Sequence, residues 1–212
     1  MKRLLVIVGA ALLASLLSVG VSKAAIFDFV EEAKPANMGE MGGQPLTFTD
    51  GGITVDARGY WTGGAGPAAA YLDGGGGLGV CHTGLTATLQ CVVPSDDNVT
   101  VTETLELIFD RSVTIASISF RDAVHGTALF DLGETLILKV DGAATALGGL
   151  DLASWAAFSG VTGTKFEFSY VDEEFYIDTL TVTAIPLPPA IALFGAALFG
   201  LNWLSRRRKQ AI

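Results

Sequence analysis

Apolar and polar residues alternate along several stretches of this chain, as they do in β-strands that bury one face. The longest stretch covers residues 99–109, and Glu103 interrupts its apolar face. The other residues of that face are Val99, Val101, Leu105, Leu107 and Phe109. Shorter alternating stretches lie at 53–58, 113–120, 134–140, 165–170 and 175–183. Because this part of the chain has no sustained 3.6-residue apolar period, we expect an all-β structure.

The junction between the first long stretch and the next one is polar. The tripeptide Asp-Arg-Ser at 110–112 separates 99–109 from 113–120, and such segments are typical of turns between strands. We therefore predict a hairpin at this point. Farther along, the apolar alternation shifts between Ile115 and Ile118, which predicts a β-bulge.

The number and spacing of the strands indicate the fold class. About eight strands in about 160 residues, separated by turns rich in Gly, Asp and Asn, fit a jelly-roll-like antiparallel β-sandwich. We assign that fold to residues 25–184. The glycine-rich stretches 63–66 and 74–77 are expected to be loops, because neither opens a helix as a phosphate-binding loop does. Residues 25–45 are expected to be a partly ordered lead-in.

The N-terminal segment has the three parts of a secretory signal peptide. Lys2 and Arg3 precede an apolar run at 4–17, and the small residues Ser22 and Ala24 occupy the positions that signal peptidase recognises. We therefore expect residues 1–24 to be removed by signal peptidase after Ala24. An uncleaved anchor helix is the alternative, because apolar character continues beyond the run.

The C-terminal segment predicts a single transmembrane helix at about 187–204. Eighteen residues form a helix of about 27 Å, which barely spans a hydrocarbon core of about 30 Å. The four cations that follow are Arg206, Arg207, Arg208 and Lys209. By the positive-inside rule they stay in the cytoplasm, which places the preceding domain on the other side of the membrane. A buried core helix is the alternative for so short an apolar run.

The charged residues are unevenly distributed along the chain, and this adds to the functional prediction. The 212 residues are 50% hydrophobic and 17% charged, with 26 Gly, a mean hydropathy of +0.49 and a net charge of −9. All 22 acidic residues but only six basic ones lie between Ala25 and Ser205, so this part has a net charge of −16. So acidic a domain repels phosphate backbones, which excludes non-specific nucleic-acid binding.

The order of the C-terminal parts resembles the PEP-CTERM family of bacterial sorting signals, in its VPLPA-type variant. Pro186, Leu187 and Pro188 match that variant, with Ile185 where it has Val and Pro189 where it has Ala. The resemblance covers the last 28 residues. It implies recognition by an exosortase, a membrane-embedded cysteine transpeptidase that cuts near the Pro signature. It also implies release or transfer to the envelope of a Gram-negative bacterium that makes exopolysaccharide.

The two cysteines of the chain, Cys81 and Cys91, are ten positions apart. In an oxidising periplasm such a pair is expected to form a disulfide. The alternative is a thiol nucleophile beside His82. A free reactive thiol would be oxidised outside the cytoplasm, which favours the disulfide.

A candidate calcium site follows from the last predicted strand. There Asp178 alternates with Tyr176, Leu180 and Val182 on an otherwise apolar face, and a carboxylate in such a place needs a partner. The ending Tyr-Ile-Asp resembles the last strand of jelly-roll carbohydrate-binding modules, in which such an Asp helps to hold a structural Ca²⁺. Further oxygen ligands are expected from the turn residues Asp96, Asp97, Asn98 and Asp122. The alternative partners of Asp178 are a loop backbone or Arg121.

Catalytic motifs give little support for an enzyme. The sequence has no zinc-protease or nucleophile-elbow motif, and its two histidines are too few for a His-rich metal site. Paired carboxylates of a hydrolase are the remaining enzymatic alternative. The aromatic residues Tyr60, Trp61, Tyr71 and Trp155 are expected to pack in the core, with a sugar-stacking platform as the alternative.

The sequence thus predicts a non-enzymatic protein of the cell envelope or extracellular matrix without a cofactor. It is expected to be exported, anchored in the inner membrane with its domain in the periplasm, and then moved to the cell surface or outside. The alternatives are a carbohydrate-binding module with a structural calcium, whose partner is an exopolysaccharide, and a single-pass membrane protein that is not processed.

Overall fold

The computed structural model describes residues 24–64, 67–92, 97–126, 133–144, 150–151 and 160–185. These residues form twelve β-strands and one short helix. The strands are β1 Ala24–Asp28, β2 Met41–Gly43, β3 Leu46–Asp50, β4 Ile53–Trp61, β5 Ala69–Asp73, β6 Gly77–Cys81, β7 Glu103–Asp122, β8 Thr135–Val140, β9 Ala143–Ala144, β10 Leu150–Asp151, β11 Thr162–Tyr170 and β12 Phe175–Ala184. The helix is α1, Phe29–Glu32. All strand pairings are antiparallel, so the predicted all-β class is confirmed.

Strand β7 is the element around which the sheet is built. Its first part pairs with β4 from Glu103 to Phe109 and, on its other side, with β11. Its second part, from Val113 to Asp122, pairs with β12. The sheet continues from β11 to β8, β9 and β10 on one side, and from β12 to β1, β6, β5 and β2 on the other.

The expected hairpin at 110–112 is wrong, because β7 runs through this segment without a turn. The Arg111 guanidinium donates to the carboxylate of Asp110, 2.6 Å from Nη2 to Oδ2, and the amide of Thr54 donates to Asp110 Oδ1. These polar groups are therefore satisfied inside a strand. The neighbouring strand changes instead: the β4 pairing ends at Phe109 and the β12 pairing begins at Val113.

The expected bulge between Ile115 and Ile118 is confirmed. Thr181 pairs with Ser117 whereas Val182 pairs with Ile115, so Ala116 has no residue opposite it. Both isoleucines are buried and Ala116 is exposed. The extra residue restores the inward direction of the apolar side chains after a break in the alternation.

The predicted start of the long strand at Val99 is four residues too early. Thr102 has a φ of +65°, which breaks an extended chain, and the strand begins at Glu103. Val101 is consequently 59% exposed, while Glu103 points inward and is 1% exposed. Val99 forms a separate bridge to Phe175.

The expected partly ordered lead-in at 25–45 is also wrong. This segment contains β1, α1 and β2, and Asp28 caps α1 by accepting a hydrogen bond from the amide of Glu31. Phe29 is fully buried and meets the ring of Phe48 at a centroid distance of 5.1 Å. The segment is therefore part of the core.

Phenylalanine contacts join the two parts of the sheet into a sandwich-like core. Phe27 on β1 meets Phe109 on the first part of β7 at 6.2 Å. Phe120 on the second part of β7 meets Phe168 on β11 at 6.4 Å. The apolar face of β11 and the first part of β7 thus packs on that of β1, β12 and the second part of β7. Burial of these faces supplies the main stabilising free energy.

Candidate functional site

A β-bulge in β12 turns a group of polar side chains away from the core. Ile177 pairs with Phe120 whereas Thr179 pairs with Ser119, so Asp178 has no residue opposite it. The core-facing side chains of β12 are Phe175, Ile177, Leu180 and Val182. The predicted apolar face that joined Asp178 to Leu180 and Val182 is therefore wrong, because the bulge changes the alternation between them.

The polar group around this bulge is here called the Tyr176 cluster. Its members are Asp73, Asp97, Arg121, His125, Tyr176 and Asp178. The hydroxyl of Tyr176 donates to Asp97 Oδ1 at 2.5 Å. The Tyr176 ring lies on the backbone of Gly76, since a Cβ at that glycine would come within 2.7 Å of the ring. His125 covers the ring edge at 5.4 Å and 74°, so Tyr176 is only 2% exposed.

Asp73 organises the glycine-rich turn beside this tyrosine. Its Oδ1 accepts hydrogen bonds from the amides of Gly75 at 2.8 Å and Gly76 at 2.5 Å. Nε2 of His125 lies 3.4 Å from the same oxygen. Residues 74–76 thus form a loop whose shape is held by one carboxylate. The loop predicted at 74–77 is confirmed except at its end, because Gly77 begins β6.

Asp178 has a cationic partner within the protein. Its Oδ1 lies 3.2 Å from Nε of Arg121, and its Oδ2 accepts a hydrogen bond from Ser119 Oγ at 3.2 Å. The Nε–H of Arg121 is buried and not aligned for a hydrogen bond, so this contact is an ion pair by proximity. The guanidinium also donates to the carbonyl of Gly75 at 3.1 Å. Arg121 is thus the partner that the sequence offered as the alternative to a metal.

The other candidate calcium ligands among the described residues have separate partners. Asp122 Oδ1 accepts from the amides of Val124 and Gly126, at 3.0 and 2.6 Å. The amide nitrogen of Asn98 donates to Glu174 Oε2 at 3.0 Å. Asp96 lies outside the described residues. Within the described ranges no group of three or more His, Cys, Asp or Glu side chains is placed to hold a metal ion, and calcium binding stays a prediction.

A second polar cluster, around Glu103, was not predicted from the sequence. Glu103 Oε1 lies 2.8 Å from Nδ1 of His82, and its Oε2 accepts a hydrogen bond from the amide of Thr100 at 2.9 Å. The imidazole of His82 lies against the Trp61 ring, with 5.0 Å between the ring centroids and 33° between the ring planes. The interruption of the apolar alternation at Glu103 was the signal for this site.

A third polar cluster lies on the face of β4, β7 and β11 that points away from the core. Glu106 is 5% exposed, and it accepts hydrogen bonds from the Tyr60 hydroxyl at 2.9 Å and the Lys165 ammonium at 3.0 Å. Lys165 also contacts Glu167 at 3.1 Å. The bonds to Glu106 and then to Glu167 raise the pKa of Lys165 above its usual value, and burial followed by the bond to Glu106 raises the pKa of Tyr60.

The aromatic residues considered from the sequence do not share one surface in the described part of the chain. Tyr60 and Trp61 are consecutive in β4 and point to opposite faces. Tyr71 is 4% exposed and donates to Gln90 Oε1 at 2.9 Å; burial, with the charge of Asp97 next, raises its pKa. Trp155 lies outside the described residues.

Cys81 and Cys91 form the disulfide-capable pair that was predicted. Cys81 ends β6, and Cys91 forms an isolated bridge with Leu85 in the segment that returns toward it. The two Cα atoms are 5.7 Å apart and the sulfurs are bonded. The cross-link therefore closes a short loop at the end of a buried strand.

The predicted signal peptide up to residue 23 and the sorting-signal residues from Pro186 onward lie outside the described ranges. The described chain ends at Ile185, which is 44% exposed. Among the helical residues that the structure does describe, none forms a helix long and apolar enough to cross a membrane. Comparisons of the chain with protein-family models, with curated proteins and with solved structures find no match in any of the three.

Proposed function

We propose that this chain is an exported, non-enzymatic protein of the cell envelope or extracellular matrix, built as a jelly-roll-like β-sandwich. The observation that carries the proposal is the Cys81–Cys91 pair, which lies in a chain whose two ends read as export and membrane signals. Disulfides persist in oxidising compartments and are rare in the cytosol. The disulfide therefore supports a location of the domain beyond the inner membrane, in the periplasm or outside the cell.

The C-terminal segment 185–212 supplies the address of the protein in this proposal. Pro186, Leu187 and Pro188 form the signature that an exosortase recognises, and the apolar run holds the chain in the inner membrane. The cations at 206–209 keep the tail in the cytoplasm. Signal peptidase is the second processing partner, and the domain passes from the periplasm to the cell surface or the medium.

The described polar clusters support a non-enzymatic role. In the Tyr176 cluster each carboxylate is occupied by a tyrosine, an arginine or backbone amides. Glu103 and Glu106 are likewise held by fixed donors. Carboxylates held in this way shape loops and strands, which is a structural role.

Intact-mass spectrometry of the protein recovered from its native host tests the proposal. We expect the loss of residues 1–24, a deficit of about 2 Da for one disulfide, and the loss of the segment that follows the Pro signature. A protein without residues 1–24 that retains the C-terminal segment supports the unprocessed single-pass alternative. An unprocessed 22.0 kDa chain with free thiols contradicts the export proposal.

A carbohydrate-binding module is the second candidate. It is favoured by Tyr60, which is 41% exposed beside the charged side chains of Glu106 and Lys165 on one sheet face. An aromatic ring next to hydrogen-bonding groups is suited to a sugar. Glycan-array binding that a Tyr60→Ala variant loses would support this function, and flat binding curves against exopolysaccharides would contradict it. Loss of binding in chelator would add the predicted calcium.

A further inference from the structure

The first and last strands of the described unit are direct neighbours. Ala24 lies opposite Thr183 and Ala25 lies opposite Val182, and the pairing continues to Asp28. β12 is flanked by β7 on its other side, so its last residues are held from both directions. The expected signal-peptidase cut between Ala24 and Ala25 therefore lies inside a β-ladder.

The peptide bond between Ala24 and Ala25 is also covered by the turn that joins β3 to β4. A Cβ on Gly51 would come 2.8 Å from the carbonyl oxygen of Ala24 and 3.3 Å from Cα of Ala25. The amide of Ile26 donates to Asp50 Oδ2 at 2.8 Å. Ala25 is fully buried. Ala24 is exposed at the start of the strand. A peptidase must nevertheless take the bond into its own groove, and the pairing with β12 and the cover over Ala25 prevent this while β1 is in place.

The side chains that follow the bond hold β1 against the core. Phe27 is 3% exposed and contacts both Phe29 and Phe109, at ring distances of 6.4 and 6.2 Å. Ile26, which alternates with it, is 57% exposed. Opening β1 thus removes the Phe27 ring from the core, whereas the exposed Ile26 side chain contributes little to holding the strand in place.

Strand β1 receives its partner late. The strand is the first to emerge during export, whereas β12 is the last of the domain, because chains are made and moved from the N-terminus. Peptidases bind their substrates as extended segments that pair with the enzyme. Until β12 arrives, β1 is free to adopt that conformation in the peptidase.

We propose that docking of β12 on β1 closes the signal-peptide cleavage site, so that cleavage must precede completion of the fold. This inference rests on the proposed export of the chain. In the cleavage step water adds across the amide, which leaves a carboxyl group on Ala24 and a free amine on Ala25. A chain that folds first keeps its N-terminal segment and stays attached through both ends.

A pulse-chase experiment with the full-length chain in a Gram-negative host tests this order. In one arm a reversible signal-peptidase inhibitor is present until the labelled precursor is oxidised and protease-resistant, and is then washed out. In the other arm the inhibitor is absent. We expect the prefolded precursor to be cut at least about tenfold more slowly, because cleavage then depends on local opening of β1. Mass spectrometry identifies the new N-terminus at Ala25.

A matched pair of variants separates strand opening from changes near the cut. Phe27→Ser should restore fast cleavage of the prefolded precursor, and Ile26→Ser should not. If Phe27→Ser does not become oxidised and protease-resistant, Asp50→Ala serves instead, because it removes only the contact to the Ile26 amide. We expect that variant to be cut several-fold faster than the prefolded wild type.

Two results overturn the inference in different ways. Equal cleavage rates for nascent and prefolded wild-type chains contradict the order of events and leave the export proposal intact. A nascent chain that is exported but never cut at Ala25 contradicts the cleavage site itself, and the proposed signal peptide fails with it.

Discussion

The carboxylate of Asp178 and the guanidinium of Arg121 form an ion pair across two neighbouring strands, with 3.2 Å between Oδ1 and Nε. Their side chains are 19% and 22% exposed, so both charges are largely removed from water. Asp178→Asn keeps the shape and removes the negative charge. We expect a loss of about 1–2 kcal/mol in unfolding free energy, because Arg121 remains without its counter-ion. Urea unfolding measures this loss.

Calcium provides the control for this variant. Because Arg121 already neutralises Asp178, we expect the same loss of stability in excess Ca²⁺ and in chelator. A wild-type protein that is stabilised by Ca²⁺, together with a variant that is not, would instead indicate that Asp178 is a metal ligand.

The Cys81–Cys91 cross-link gives the second prediction. Replacing both cysteines by serine removes a bond that joins residues ten positions apart. The loop-entropy model predicts a loss of about 2–3 kcal/mol for a loop of this size. Chemical denaturation with and without reductant measures it. The wild type should become as unstable as the variant when reduced, and a variant that still responds to reductant would disprove the explanation.

The contact between Lys165 and Glu106 gives the third prediction. Lys165→Met should lower stability by about 2 kcal/mol, since Glu106 stays buried with only Tyr60 as donor. Lys139→Met, which changes an exposed lysine on the neighbouring strand β8, is the control and should have little effect. Equal losses in the two variants would contradict the role of Glu106.

The contact of Lys165 also has a pH dependence. The pKa of this ammonium is raised above 10.5 in the folded protein, chiefly by its bond to Glu106. Its stabilising effect is therefore complete below the unfolded value and is lost as the pH rises through the folded one. The stability difference between wild type and Lys165→Met should narrow in strongly alkaline solution, as unfolding free energies measured across that range would show.

Glu173 gives a prediction of the opposite sign, because its negative charge destabilises the folded protein. Burial, followed by the charges of Glu134, Glu174 and Asp122, raises its pKa above 4.5 in the folded protein. The folded state then binds more protons than the unfolded state just above pH 4.5, so this group lowers stability as the pH rises there. Glu173→Gln should be more stable than wild type at neutral pH, with a gain that shrinks toward pH 4. Glu32→Gln controls for the change in net charge, and an equal gain there would contradict the effect.

Local patterns predicted the strands whose alternation is regular. The residues of β8, and residues 165–170 in β11, alternate between buried and more exposed positions. The bulge near Ile115 appeared as a change in such an alternation. The class of the fold and the cysteine pair followed from the same kind of information. These features depend on neighbours in sequence, which a pattern records.

The missed features depend on contacts between distant residues. Nothing near Asp110 shows that β7 exchanges one neighbour for another, because those partners come from β4 and β12. Ala69–Asp73 and Gly77–Cys81 are buried throughout and so lack alternation. Asp178 does not lie on its predicted face because β12 has a bulge there. That bulge depends on the pairing with Ser119 and Phe120, which lie far away in sequence.

The antiparallel pairing of β1 with β12 determines how this unit responds to mechanical tension. A force applied between its two ends acts first on the rung between Ala24 and Thr183. The hydrogen bonds of an antiparallel ladder lie perpendicular to the strands. A force that separates the two ends therefore pulls along these bonds and breaks the rungs one after another. Tension between a tether at one end and a polymer at the other would peel the outer strand away at low force, while the pairing of β7 with β4 and β11 stays closed.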